Sequence, residues 1–224
     1  MSPIRQAPAQ RSAAPPPRAH GGQPAKRQAI IDAARRVFLS NGFTDTSVDA
    51  IAVEAGVSKQ TIYNHFGDKE RLFATVIETT QKDAYPAAEP DLEDRLANSD
   101  DLDRDLRALG RHWVRLTLAE DVAALRRLVI AEWTRHPQLL ADWARPRPQM
   151  ESALARAIQR QTQRGVLDVP DADLAARQLL LLIVTESLTR AFYGLRKLSK
   201  TETDEIVGTG VEMWLRCYRA RPAS

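Results

Sequence analysis

Apolar positions in the first third of the chain recur at helical spacing, broken at intervals too short for one continuous rod. Ile30, Ala33, Ala34, Val37 and Phe38 fall at i, i+3, i+4, i+7 and i+8, one buried face of a helix that begins near Pro24. Asn41-Gly42 stops it as a left-handed cap would. A short second helix is expected from Ser47, whose hydroxyl can cap free amides, with Asp49 in the first turn and Val48, Ile51, Ala52 and Ala55 inward. Gly56-Val57 turns the chain, Ser58 caps a third helix reaching about Phe66, and Gly67-Asp68 leads into a fourth that buries Leu72, Phe73, Val76 and Ile77 and ends before Pro86.

The polar, acidic stretch 86–101 reads as a connector with at most one loose helical turn. Further helices are expected at about 102–119, 121–135, 138–144, 149–164, 171–193 and 201–219, and no alternating strand pattern of useful length occurs. The fold class is therefore all-α: an N-terminal three-helix helix-turn-helix domain followed by an all-helical domain. Residues 1–24 hold six of the 13 prolines and no helical period, so they are expected to form a disordered basic arm, with domains at 25–85 and 86–224.

Composition and charge narrow the function. The longest apolar run, Leu179 to Val184, is far short of a membrane span, and no secretory signal opens the chain, so a cytoplasmic protein without a membrane segment is expected. Cys217 is the only cysteine; it can form neither an internal disulfide nor a cysteine-based zinc site, and a buried bystander thiol is expected. The net charge of +3 is unevenly placed: residues 1–85 carry 11 Lys/Arg against 8 Asp/Glu, while residues 86–224 carry 21 of each. The first 31 residues have five basic side chains and no acid, as suits an end that meets a polyanion or a solubilising tail.

Two helices joined by a short glycine-containing turn define the DNA-binding helix-turn-helix, whose second helix enters the major groove. If Val57, Ile62 and Phe66 pack inward, the third helix turns Lys59, Gln60, Thr61, Tyr63, Asn64 and His65 outward. Gln and Asn pair bidentately with adenine, Lys suits guanine or phosphate, and the hydroxyls of Tyr and Thr reach phosphate. Thr46, Ser47 and Ser58 flank this face. The free amides at Ser47 and at Asp68-Lys69, with the Lys69 charge, can hold phosphates.

The segments Thr46 to Ala52, Ala55 to Lys59 and Thr61 to Glu70 resemble the N-terminal domain of TetR-type repressors over about residues 25–77. The resemblance implies a homodimer on double-stranded DNA with a palindromic operator, one recognition helix per half-site, and a C-terminal domain that binds a small-molecule effector and releases DNA. By position it puts residues 59–65 on the recognition helix and Lys69 on a phosphate, with His65 either touching DNA or supporting the helix.

Arg127 to Trp133 is similar to the C-terminal region of efflux-pump repressors of the AcrR and AefR kind. Trp113, Trp133 and Trp143 with Arg111, His112, Arg115 and His136 could line an effector pocket, and Thr185 and Glu186 interrupt an apolar run and can project into it or toward a partner; ordinary core and solvated faces explain the same residues. The helices at about 171–193 and 201–219 have apolar residues on more than one face, as dimerisation requires. No metal-ligand spacing, phosphate loop or nucleophile motif occurs, so neither an enzyme nor a cofactor or metal site is expected. The alternative to a ligand-released repressor is a helix-turn-helix regulator controlled by a protein partner or by no effector.

Overall fold

The computed structural model describes residues 22–84, 90–137 and 148–220. The arm expected over 1–24 lies outside them apart from its last three residues, as do the helix expected at 138–144 and Trp143.

Helices α1 (Gly22–Asn41), α2 (Val48–Ala55), α3 (Lys59–Phe66) and α4 (Lys69–Ala84) form the N-terminal unit. Its core gathers Ile30, Phe38, Ile51, Ile62, Phe66, Phe73 and Val76, which the periodicity predicts as inward, together with Phe43 from the loop after α1, which it does not. Capping explains the breaks. Ser47 Oγ accepts from the Ala50 amide at 3.1 Å and Ser58 Oγ from the Thr61 amide at 3.2 Å, so each short helix starts with a satisfied donor. Between them Gly56 sits at φ 64°, a left-handed conformation that lets its amide return to the carbonyls of Ala52 and Val53 and that a side chain would strain.

The second unit contains α5 (Pro90–Ala97), α6 (Leu102–Thr117), α7 (Glu120–Glu132), α8 (Pro148–Gln163), α9 (Ala172–Leu180), α10 (Glu186–Arg190) and α11 (Lys200–Tyr218). Where a connector was expected, α5 forms two turns. Leu96 and Ala97 bury against α8, and the buried Gln161 amide and Arg164 guanidinium donate to the carbonyls of Ala97 and Ser99, groups a helix end leaves open. That support comes from residues more than 60 positions away, out of reach of local pattern.

The rod expected over 171–193 is not one α-helix. A π-turn, Leu181–Thr185, joins α9 to α10, and the Ser187 hydroxyl donates to the Ile183 carbonyl at 2.7 Å. Leu179, Leu180 and Ile183 enter the core beside Trp113 and Trp214, whose indole donates to the Ala175 carbonyl at 2.8 Å. Cys217 is exposed, correcting the expectation of a buried thiol: it lies on the outer face of α11. No helix of the described residues is long and apolar enough to cross a membrane.

A capping box opens α11: Ser199 Oγ accepts from the Glu202 amide, and Glu202 accepts from the Ser199 amide at 2.8 Å and from Arg196 at 2.8 Å. The Ser199 amide first, then Arg196, hold the Glu202 carboxyl at about 2, below its ordinary 4.5. A depressed acid contributes stability above the unfolded value and loses it as pH falls through the folded one. Acidification from about pH 4.5 to 2 is thus expected to loosen this helix end. Glu202→Gln should flatten the acid dependence of the melting temperature over that window; an equally steep fall in both proteins would remove this cap from the acid response.

Candidate DNA-binding interface and effector cavity

The third helix buries Ile62 and Phe66 and turns Lys59, Gln60, Tyr63 and Asn64 to solvent, with Thr61 and His65 half-buried at the margins. Tyr63 is 38% exposed, a large ring left on a polar face. Gln60 Nε2 donates to Asn64 Oδ1 at 2.9 Å, so the two amides lie one turn apart as a joined pair. Lys59 Nζ lies 2.9 Å from Asp49 on α2, and that hydrogen bond and charge raise its pKa. Both partners are exposed, and such a pair is weak enough for a phosphate to replace the aspartate. The Ser58 and Thr61 hydroxyls lie 2.8 Å apart at the N-terminus of the same helix. His65 tilts against Phe66, ring centroids 6.1 Å apart.

Two members of the expected contact set are placed otherwise. Thr46 is buried, and its hydroxyl donates to the Gly42 carbonyl at 2.6 Å, so its side chain supports the loop between α1 and α2. Lys69 faces the same loop. Its ammonium donates to the carbonyls of Phe43 (2.9 Å), Thr46 (3.0 Å) and Thr44 (3.4 Å) and lies 4.4 Å from the Phe43 ring centroid. Three carbonyls and a ring occupy it as a clamp, so its side chain is not a free phosphate ligand. Ser47 stays exposed at the start of α2. Arg27, absent from the expected set, lies 5.2 Å from the Phe66 ring and places an exposed cation at the end of α3. The acid-free N-terminal segment was its only signal.

Those of the expected pocket residues that the structure describes lie in several places. Trp113 is 2% exposed and belongs to the C-terminal core. Arg111 pairs with Asp204 at 3.7 Å, and His112 and Arg115 contact one another at 2.6 Å along α6. Trp133 is 41% exposed beyond α7, and His136 packs edge-on against Phe43 with centroids 4.7 Å apart. Glu186 is held by Arg190 at 2.7 Å. Of the expected residues that the structure describes, Thr185 lines the cavity at the π-turn.

That cavity has a volume of about 170 Å³ and is bounded by Thr117, Glu151, Arg177, Leu180, Leu181, Val184 and Thr185. It therefore spans the end of α6, the start of α8 and the π-turn. A cavity of roughly 150 Å³ takes up one benzene-sized molecule. Thr185 belongs to the expected set; Thr117, Glu151 and Arg177 do not, although Arg177 shares with Leu181 and Thr185 the i, i+4, i+8 spacing of one helix face.

Residues 30–76 match the model of bacterial regulatory proteins of the tetR family, and residues 104–220 match that of the C-terminal domain of AefR-like transcriptional repressors. The chain is similar to the HTH-type transcriptional regulator UidR of Escherichia coli K12, 28% identical over 168 residues that are 71% of this chain and 77% of the relative. Among solved structures, a protein assigned to the TetR family of transcriptional regulators from Mesorhizobium loti is 33% identical with a TM-score of 0.78, covering 88% of this chain and 98% of that one. The flavonoid-responsive regulator FrrA is 28% identical with a TM-score of 0.72, covering 89% and 100%.

Proposed function

Since the chain belongs to the TetR family of helix-turn-helix transcriptional regulators, whose members bind DNA and act as dimers, we propose that it is a repressor holding a palindromic operator as a homodimer and released by a small molecule. The observation that carries the reading is the division of α3 into a buried apolar side and an exposed, donor-rich side between two capped turns. Gln60, Tyr63 and Asn64 read or position on the groove; Lys59, Arg27 and the amides behind Ser47 and Ser58 hold phosphate. His65 packs on Phe66 and steadies the helix. The protein works in the cytoplasm, where the operator lies.

Dimerisation is assigned to α9–α10 and α11. Leu174 and Met213 are exposed there, apolar area that a second copy would cover. The effector is assigned to the cavity at the π-turn, with Arg177, Thr117 and Thr185 orienting a compact molecule whose apolar body rests on Leu180, Leu181 and Val184. The flavonoid response of a similar regulator supports a small-molecule signal. Units 25–85 and 86–224 divide DNA binding from sensing.

The test is selection of duplexes from a random-sequence pool by the full chain, followed by fluorescence anisotropy. Gln60→Ala and Tyr63→Ala are expected to keep the dimer and weaken binding by about 1–3 kcal/mol each. Unchanged affinity in both variants would remove α3 from the interface. One-ring compounds that release the selected duplex should also raise the melting temperature; failure of every such compound would return control to a protein partner.

A further inference from the structure

Helix α7 belongs to the C-terminal half by sequence, yet Leu125 and Val129 complete the core of the N-terminal unit beside Phe38, Phe43 and Phe73. Its C-terminal end carries a buried acid. Glu132 is 5% exposed, and its Oε2 accepts from Thr44 Oγ1 at 3.2 Å, while Arg135 stands 4.0 Å away. The other carboxyl oxygen, Oε1, lies against Gly42. One turn on, His136 packs edge-on against Phe43. The segment gripped is therefore Gly42-Phe43-Thr44, the loop that Lys69 clamps from α4 and that runs directly into Ser47, the cap of α2.

The opposite side of α7 meets the helical run that lines the cavity. Arg127 Nη1 donates to the Tyr193 carbonyl at 3.0 Å, and Gly194 lies against Ala123. Among the described residues, α7 thus touches both the end of the cavity-lining run and the loop that aims the helix-turn-helix. Glu132 lies within Arg127 to Trp133, outside both the DNA face and the cavity.

We propose that Glu132 is a positioning residue for DNA recognition: through Thr44 it sets the pose of the loop between α1 and α2, and so the angle at which α3 meets the groove. The carboxyl group can do this because it is buried against its target, and a hydrogen bond to a buried acid fixes direction as well as distance. A shift of α7 then moves the recognition helix as a unit instead of melting it. The inference rests on the reading of α3 as the recognition helix.

The test uses the full chain, the duplex it selects from a random pool, and a scrambled duplex at one salt concentration. Glu132→Ala is expected to weaken binding to the selected duplex by up to about tenfold, because a loop freed of one hydrogen bond spends less of its time in the binding pose, while binding to the scrambled duplex stays unchanged. Glu132→Gln keeps an acceptor at the same place and should restore most of the discrimination. Thr44→Val should reproduce the loss, and Thr44→Val with Glu132→Ala should be no worse than either alone. If Glu132→Ala loses affinity for both duplexes in step with its folded fraction, or keeps full discrimination, the proposal is overturned. A wild-type chain that selects no sequence overturns the reading of α3 as well, which separates the two failures.

Discussion

Phe43→Ala is expected to lower stability by about 3–5 kcal/mol, the range for removing a buried aromatic ring. Phe43 is 2% exposed, stacks on Phe38 at 5.9 Å and tilts against Phe73 at 4.8 Å between centroids. It also receives the Lys69 ammonium on its face and the His136 ring at its edge. Truncation therefore opens a cavity where α1, α4 and the end of α7 meet, and frees the loop before α2. With a shift of about 2–4 °C per kcal/mol for a chain of this size, the melting temperature should fall by on the order of 10 °C. Circular dichroism melts with a urea series measure it. A loss under about 1 kcal/mol would show that the core collapses around the missing ring and that Lys69 and Glu132 suffice to hold the loop.

Gly194→Ala should have a comparable effect from a different cause. At φ 88° the residue lies in the region where a side chain costs about 1–2 kcal/mol. A Cβ built there would stand 2.4 Å from the Ala123 Cβ, so overpacking adds about 1–3 kcal/mol. The two causes can be separated. Ala123→Gly removes the opposing methyl group without changing the backbone, so the double variant should regain the packing part and keep the backbone part. Full recovery would mean that the positive φ costs nothing here, and no recovery would mean that steric contact is not the source. Tyr193 and Phe192 also have positive φ, at 55° and 47°, in a turn held by Arg127 through the Tyr193 carbonyl. Displacing this turn separates α10 from α7, so Gly194→Ala should also weaken effector-induced release of DNA.

Particular residues show where sequence reasoning reached the site and where it stopped. Lys59, Gln60, Tyr63 and Asn64 were legible because burying Ile62 and Phe66 leaves them only the other side of an eight-residue helix. A cation at a helix start suits an anion, so the sequence alone makes Lys69 a phosphate ligand. The folded chain brings three carbonyls from 23 to 26 residues away onto the same ammonium. Trp113 shows a related limit. Periodicity marks Trp113 as inward but does not say whether inward means a solid core or a cavity wall, and here it is core. The cavity is set instead by the gap between helices far apart in sequence, and the 177, 181, 185 spacing on one of its walls does not say what stands opposite.

The amino-acid sequence by itself determined the helices of the N-terminal unit, their caps and the outward face of α3. These depend on neighbours three and four positions apart, whose relation is set by backbone geometry alone. The tertiary structure decided that α7 completes the DNA-binding core, that Glu132 and Lys69 grip one loop from two sides, and that the π-turn borders the cavity. Those relations depend on the angles at which rigid helices pack across long stretches of chain, and such angles follow from the fit of whole surfaces, which no local spacing encodes.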